Sequence, residues 1–119
     1  MWYKNSYRRN LIDMHIPDWN EEFLSKYDPK NYVDMLELAQ VETAYIYTTS
    51  CLGLCYWPTK LGKMHAGLKG RDIVGEVFQL CKQRGIRTIA YYNHWSRWAC
   101  ETYPDWQVQS IDGRGSLDF

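Results

Sequence analysis

Two stretches of this chain gather aromatic, imidazole and neutral polar side chains, the residue types that bind a polyhydroxylated ring. The first stretch follows residues 43–49 and the second follows residues 86–92, and together they carry Cys51, Tyr56, Trp57, Lys63, His65, Asn93, His94, Trp95 and Trp98. Indole and phenol rings offer flat apolar faces, whereas amides, imidazoles and hydroxyls bond to hydroxyl groups. A sugar presents both kinds of surface, so the pattern predicts carbohydrate as the ligand.

The predicted substrate-binding set lies at the ends of three predicted strands and consists of His15, Tyr56, Trp57, His65, Asn93, His94 and Trp95. We expect Tyr56 or Trp57 to stack on a sugar ring, with packing against the rim of the fold as the alternative. Residues 93–95 are the strongest local indication of a site, because loops at the C-terminal ends of strands build the active sites of parallel α/β proteins.

His15 ends the first predicted strand and lies two residues after Asp13, so both side chains share one strand face. In a barrel that face points inward, and His15 would donate a hydrogen bond to a sugar hydroxyl. The alternative is a structural histidine whose ring is satisfied by Asp13. Both interpretations stay open at this point.

Catalytic carboxylates are not evident in this chain. Glycoside hydrolysis uses two of them, about 5–5.5 Å apart in retaining enzymes and about 6.5–9.5 Å apart in inverting ones. Asp13, Asp18 and Glu101 are the only acids near predicted strand ends, and none has the surroundings of a tuned acid. Asp72 is interpreted as a helix cap.

A zinc site is a further alternative, although no metal and no cofactor are expected. Cys51-x₃-Cys55 with His65 falls within the loose spacing of zinc ligands. His94 or Cys100 would have to complete the tetrahedron through the fold.

Composition limits the partners. The chain has 119 residues, enough for one domain at most, and its 14 basic and 14 acidic residues cancel. This balance gives no electrostatic argument for nucleic acid or an anionic membrane. No apolar run approaches the roughly 20 residues of a membrane span, and residues 1–10 lack a signal-peptide core. The cysteines do not resemble a disulfide scaffold, so we expect a reducing, cytoplasmic setting.

Five elements must position these residues: strands over residues 10–16, 43–49 and 86–92, and helices over residues 29–41 and 71–84. Asp28 followed by Pro29 starts the first helix, and Gly85 stops the second. The loop over residues 50–70 has no predicted structure and is therefore expected to be functional. Near the end, Asp112-Gly113 predicts a tight turn, in a small hairpin flanked by Val108 and Ser116.

The order β-α-β-α-β predicts an α/β fold with parallel strands and right-handed crossovers. Three such strands leave two unpaired edges, whereas a complete TIM (β/α)₈ barrel needs about 250 residues. The chain is therefore interpreted as the first third of a TIM barrel, an incomplete barrel whose partner is the remainder of that barrel.

Several motifs carry a family resemblance. Thr48-Thr49-Ser50-Cys51-Leu52-Gly53-Leu54-Cys55-Tyr56-Trp57-Pro58-Thr59-Lys60 resembles the loop after the second barrel strand of α-L-fucosidase-like glycoside hydrolases. Arg71-Asp72-Ile73-Val74, Gly85-Ile86 and Tyr91-Tyr92 resemble the next helix and strand of that family. The order of the motifs is closer still to the hypothetical glycosyl hydrolase barrels, whose pattern resembles this chain over about residues 10–115.

The resemblance implies a glycosidase whose nucleophile ends the fourth strand and whose acid/base lies later, both beyond residue 119. Fucosidases carry a His-His pair where this chain has Ser50 and Cys51, in a loop one residue shorter. The segment is then expected to supply substrate-pocket residues and to be inactive alone. The alternative is a small, non-catalytic α/β domain that binds carbohydrate or protein.

Overall fold

A three-stranded parallel sheet positions the loops of interest, in a computed structural model that describes residues 1–114. Its strands are β1 (Arg9–Leu11), β2 (Thr43–Tyr47) and β5 (Arg87–Tyr91), which lie side by side in the order β1-β2-β5. Thr43 is opposite Arg9 on one side and Arg87 on the other. The fold is therefore α/β, with each sheet strand beside the one that precedes it in the chain.

Two crossover helices connect these strands, α1 (Pro29–Leu38) and α2 (Ile73–Gln83). The Asp28 carboxylate caps α1 by accepting from the backbone N–H groups of Lys30 and Asn31, and the Asp72 carboxylate caps α2 through Gly75 N–H. Both helix starts follow from the local sequence. α1 ends three residues earlier than predicted, because Gln40 adopts a left-handed φ of 55°.

The main core lies between the sheet and these helices. Alternation along β2 separates Ala44 and Ile46 from Thr43, Tyr45 and Tyr47 on the opposite face. The buried cluster combines sheet, helix and loop residues, among them Val33, Leu36, Ala44, Ile46, Val77 and Cys81. The helices α1 and α2 contribute to this cluster together with residues of β2.

The first strand is shorter than the predicted 10–16. Beyond Leu11 the chain leaves the ladder, because its next polar groups bond to a side chain: the Tyr56 hydroxyl donates to Met14 O and accepts from Ile16 N–H at 3.3 Å. The other strands match their predicted positions with one or two residues fewer at the ends, at residues 43–47 and 87–91.

The predicted structureless loop over residues 50–70 is in fact ordered. It contains the short strands β3 (Leu54–Cys55) and β4 (Lys63–Met64), which pair in parallel, and a 3-10 helix, Ala66–Leu68. Gly67 makes the closest approach, since a Cβ there would lie 1.9 Å from Phe23 O. The prediction failed because such short strands leave no periodic signal.

After β5 the chain forms α3 (Arg97–Thr102) and then a 3-10 helix, Pro104–Trp106. Another 3-10 helix, Trp2–Asn5, precedes β1. The predicted turn is present: Gly113 N–H donates to Ser110 O at 2.9 Å, with Gly113 at φ 78°. Ser116, the far side of the predicted hairpin, lies outside the described residues. No helix within residues 1–114 combines the length and apolarity that a bilayer crossing requires.

The N-terminal segment closes the end of the sheet opposite to the loops of interest. Ser6 Oγ bonds to Thr43 Oγ1 at 2.7 Å, and both side chains are buried. The Glu42 carboxylate accepts the backbone N–H groups of Tyr7 and Arg8, at 2.7 and 3.2 Å. These contacts hold the start of the chain beneath β2.

Candidate functional site

The loops after β1, β2 and β5 meet at one end of the sheet. Thr49 Oγ1 accepts Asn93 N–H at 2.9 Å, and Thr48 Oγ1 donates to Tyr91 O at 2.8 Å. These two hydrogen bonds join the loop after β2 to the end of β5 and the loop that follows it. The first loop is joined to the second by Cys51 N–H, which donates to His15 Nδ1 at 3.0 Å. The structure therefore brings the predicted site residues His15 and Asn93 to the same edge.

Asp13, His15 and Tyr47 form a polar cluster at this edge. The Tyr47 hydroxyl donates to Asp13 Oδ1 at 2.6 Å, and His15 Nε2 lies 3.3 Å from the same oxygen. Because His15 Nδ1 accepts from Cys51, the neutral ring carries its proton on Nε2. The Asp13 contact expected of a structural histidine is present, while the His15 side chain remains about one-third exposed (32%) and its sugar-binding role stays a prediction.

Tyr47 is the most buried member of this cluster. Its ring stacks on that of Tyr91, the residue opposite in the ladder, with centroids 4.3 Å apart and an interplanar angle of 21°. Burial, followed by the hydrogen bond to Asp13, raises the pKa of the Tyr47 hydroxyl. The hydroxyl therefore stays protonated at neutral pH and remains a donor to the Asp13 carboxylate.

Tyr56 is fully buried, so a sugar cannot reach it in this structure. Its hydroxyl satisfies the backbone of Met14 and Ile16, and burial raises its pKa. Of the predicted stacking pair, Trp57 is the side chain that reaches the surface, with 37% of its area exposed. Leu54, Cys55 and Tyr56 are all buried, and Trp57 is the first exposed residue after β3.

His65 is also buried, so its side chain does not reach the surface of this structure, and its contact with substrate stays a prediction. Its Nδ1 accepts Gly67 N–H at 3.1 Å, so the neutral ring carries its proton on Nε2, which donates to Pro17 O at 2.9 Å. Nδ1 thus caps the 3-10 helix Ala66–Leu68, and Nε2 joins the loop after β4 to the loop after β1. Sequence composition could not distinguish this structural histidine from a ligand-binding one.

Residues 93–95 lie at the rim of the sheet, just after β5. Asn93 Oδ1 accepts Trp95 N–H at 2.9 Å, forming a turn that directs the following side chains outward. His94 is exposed, and Trp95 exposes 62% of its area. Both remain candidates for contact with a ligand.

A cavity of about 380 Å³, which the sequence did not reveal, lies beside this rim. Its lining includes predicted residues His94 and Trp95, and it also includes Cys51, Leu52, Ala99, Cys100, Trp106 and Val108. In the sequence, the three tryptophans after β5 were the feature that could have indicated this cavity. Their convergence depends on α3, which was not predicted.

Two backbone hydrogen bonds attach α3 to the loop after β2. Arg97 N–H donates to Cys51 O at 3.0 Å, and Trp98 N–H donates to Leu52 O at 3.1 Å. Gly53, at φ 81°, permits this approach, since a Cβ there would lie 2.3 Å from Ser96 Oγ. The cavity therefore has walls fixed by main-chain contacts.

The zinc alternative gains no support from residues 1–114, where no group of three or more His, Cys, Asp or Glu side chains is placed to hold a metal ion. His65 uses both nitrogens for backbone contacts. Burial raises the pKa of the Cys55 thiol, which disfavours the thiolate that zinc binds. The four cysteines are thiols, and the expected reducing setting stays a prediction.

Comparisons with known proteins give one family and one group of structures. Residues 28–117 match the model of the family described as hypothetical glycosyl hydrolase 6. Alpha-L-fucosidase isoenzyme 2 from Paenibacillus thiaminolyticus has a similar fold, with a TM-score of 0.83 at 19% identity over 94% of this chain. An alpha-L-fucosidase from Bacteroides thetaiotaomicron matches with a TM-score of 0.57 at 25% identity over 77% of the chain.

A third similar structure is the Thermotoga maritima alpha-fucosidase in complex with fucose, with a TM-score of 0.50 at 28% identity over 58% of this chain. The match spans only 17% of the Paenibacillus enzyme, 20% of the Bacteroides enzyme and 17% of the Thermotoga enzyme. No curated protein matches the chain significantly.

Proposed function

The chain belongs to the hypothetical glycosyl hydrolase 6 family, and from this premise we propose that the intact protein hydrolyses an O-glycosidic bond. The residues described here form one wall of its substrate pocket. The observation that carries the proposal is the hydrogen-bonded convergence of three strand-end loops around Asp13, His15 and Tyr47. In parallel α/β proteins this edge is where substrates bind.

The groups of this cluster suit sugar hydroxyls. His15 Nε2–H is a donor, and the Asp13 carboxylate is an acceptor beside it. Trp57 and Trp95 have exposed indole faces on which the CH face of a pyranose can stack. Asn93 and His94 would complete the polar contacts. Tyr56 and His65 act here through the backbone they hold.

The remainder of a (β/α)₈ barrel is proposed as the covering partner. β1 and β5 each have one neighbour in the sheet of residues 1–114, so each leaves an unpaired edge. On β1, Leu11 is about half exposed, and the buried Asn10 Oδ1 lacks a hydrogen-bond partner within these residues. Further strands would satisfy both. The catalytic carboxylates are assigned to that remainder, and this segment alone is expected to be inactive.

The sugar is proposed only as a pyranoside. The Thermotoga enzyme was solved with fucose, but this chain has Ser50 and Cys51 where the fucosidase pattern has two histidines. Ser50 is buried, and its Oγ accepts Leu54 N–H at 3.3 Å, so it shapes the loop. Fucose is therefore tested as one sugar among several, and it is not proposed as the preferred substrate.

The test is hydrolysis of a panel of 4-nitrophenyl glycosides by the intact protein that contains this chain. We expect His15→Ala to lower kcat/KM about 2- to 12-fold on the active substrate, the loss of one hydrogen bond between uncharged groups. Glu21→Gln, at an exposed site away from the cluster, is the control and should retain full activity. A folded intact protein that hydrolyses none of the panel would overturn the proposal.

A non-catalytic carbohydrate-binding domain is the second candidate. It is favoured by the exposure of Trp95 and Trp106, a surface that could hold a glycan without any carboxylate pair. Glycan-array binding by a protein that turns over no glycoside would select this candidate over the hydrolase.

A further inference from the structure

We propose that the cavity between the loop after β2 and α3 binds an aromatic or similarly apolar leaving group of the substrate. The inference rests on the proposed glycosidase function and names the part of the substrate that this cavity takes. The sugar ring itself is assigned to the Asp13, His15 and Tyr47 cluster, so the two parts of a glycoside occupy two chemically different surfaces.

The cavity is preformed. The Arg97 and Trp98 N–H groups are bonded to the Cys51 and Leu52 carbonyls, which fixes the distance between its two walls. On the α3 side, Trp106 stacks on Tyr103 with centroids 4.4 Å apart and an interplanar angle of 21°. One face of the Trp106 indole is thereby covered, and the side chain still exposes 71% of its area.

The chemistry of the walls favours an apolar ligand. Leu52, Ala99, Trp106 and Val108 contribute carbon surface, and Trp95 adds a second indole. Three polar side chains, those of His94, Ser96 and Arg97, also line the cavity. Two of them have partners within the protein: Ser96 Oγ accepts Ala99 N–H at 3.1 Å, and Arg97 Nε donates to Glu101 at 2.9 Å. A hydroxyl-rich ring would lose its hydrogen bonds to water here and find few hydrogen-bond partners in the protein. An aromatic ring has no such hydrogen bonds to replace.

Cys51 connects this cavity to the polar cluster. Its side chain lines the cavity, and its backbone N–H donates to His15 Nδ1 at 3.0 Å. The imidazole ring of His15 therefore links a ligand bound at its Nε2 to the residue that lines the cavity. This continuity is what assigns the cavity to the leaving group of the same substrate.

The size of the cavity fits the assignment. A volume of about 380 Å³ is at the lower end of ligand sites, which are about 300–1,000 Å³. An enclosed apolar cavity of about 150 Å³ already accommodates benzene. There is consequently room for a substituted aromatic ring.

The test uses the intact protein. Free phenol is the first probe, and its binding is measured by ligand-observed NMR titration. We expect Trp106→Ala to weaken phenol binding roughly threefold to tenfold, the range of an aromatic pair. Ala99→Leu, which fills the cavity from α3, should abolish it. Trp19→Ala is the matched control, because Trp19 is also an exposed tryptophan but does not line this cavity.

Kinetics on the phenyl and methyl glycosides of the active sugar separate this inference from the proposed function. We expect Trp106→Ala to raise KM for the phenyl glycoside alone. If the two glycosides have equal KM values, and if neither Trp106→Ala nor Ala99→Leu changes these KM values, the inference is overturned while the hydrolase proposal stands. Phenol binding without hydrolysis of any glycoside would instead reject the proposed function and retain only an aromatic-ring site. Phenol binding that survives Ala99→Leu places the ring elsewhere and also overturns the inference.

Discussion

The backbone N–H of Cys51 donates to Nδ1 of His15 across 3.0 Å, so the loop after β2 sets the tautomer of a histidine that follows β1. The Nε2–H group is thereby left to face Asp13 and the open edge of the sheet. The main chain of this loop thereby determines which hydrogen bond His15 can offer.

Substitutions at His15 separate the acceptor from the donor of the ring. His15→Ala removes the acceptor of Cys51 N–H and should lower the free energy of unfolding by about 1 kcal/mol. His15→Asn places an amide oxygen near the position of Nδ1 and should recover most of that loss without restoring the Nε2 donor. Urea unfolding of both variants measures this, and equal losses would show that the Cys51 bond does not stabilise the loop.

Gly53→Ala should destabilise the protein more than Gly85→Ala, its matched control. Both positions have positive φ, 81° and 69°, so each substitution costs about 1–2 kcal/mol for the left-handed backbone. Only at Gly53 would the new Cβ meet Ser96 Oγ at 2.3 Å, whereas nothing lies within 4 Å at Gly85. We expect Gly53→Ala to lower the free energy of unfolding by about 1–3 kcal/mol more than Gly85→Ala does. Similar melting temperatures for the two variants would contradict the close approach of α3.

Tyr56 and Trp57 should give opposite results, although they are neighbours. Tyr56→Phe leaves Met14 O and Ile16 N–H without the hydroxyl, which should cost about 1–3 kcal/mol of unfolding free energy with KM unchanged. Trp57→Ala should raise KM for a glycoside with little loss of stability. Both quantities are measured on both variants. A stable Tyr56→Phe protein with raised KM would return Tyr56 to the substrate-contacting residues.

Glu42 gives a pH-dependent prediction. The N–H groups of Tyr7 and then Arg8 hold the pKa of its carboxyl below the ordinary value of 4.5. Because the folded pKa is the lower one, the carboxylate stabilises the fold above pH 4.5 and loses this effect as pH falls through the folded pKa. We expect Glu42→Gln to be less stable than the parent at pH 7.

The difference between Glu42→Gln and the parent should shrink on acidification, since the parent then loses the same charge. Unfolding free energies measured between pH 7 and pH 3 test this. A difference that stays constant over that range would mean that the carboxylate charge does not act through these two N–H groups.

Helices and their starts could be predicted because their determinants are local. Asp28 before Pro29 and Asp72 before an apolar stripe each place an oxygen on N–H groups two or three residues ahead. The same local reasoning located the two longer strands, and their alternation with the helices predicted the parallel order. The meeting of the strand-end loops followed from that order.

The roles of Tyr56 and His65 depend on partners about 40 and 48 residues away, which no local pattern contains. Both residues are aromatic, polar and located in a long loop, as ligand-binding residues often are. Their burial is set by the segment after β1, whose path could not be read from its sequence. The cavity escaped prediction for the same reason, since α3 acquires its position from carbonyls of the loop after β2.

The sheet order β1-β2-β5 has a consequence for synthesis on the ribosome. Each strand lies next to the one made before it, so no strand has to insert between two that are already paired. These three strands can therefore pair in the direction of translation, each on the strand made before it. In the barrel proposed above, the edge of β1, the first to be made, would be the last to be covered.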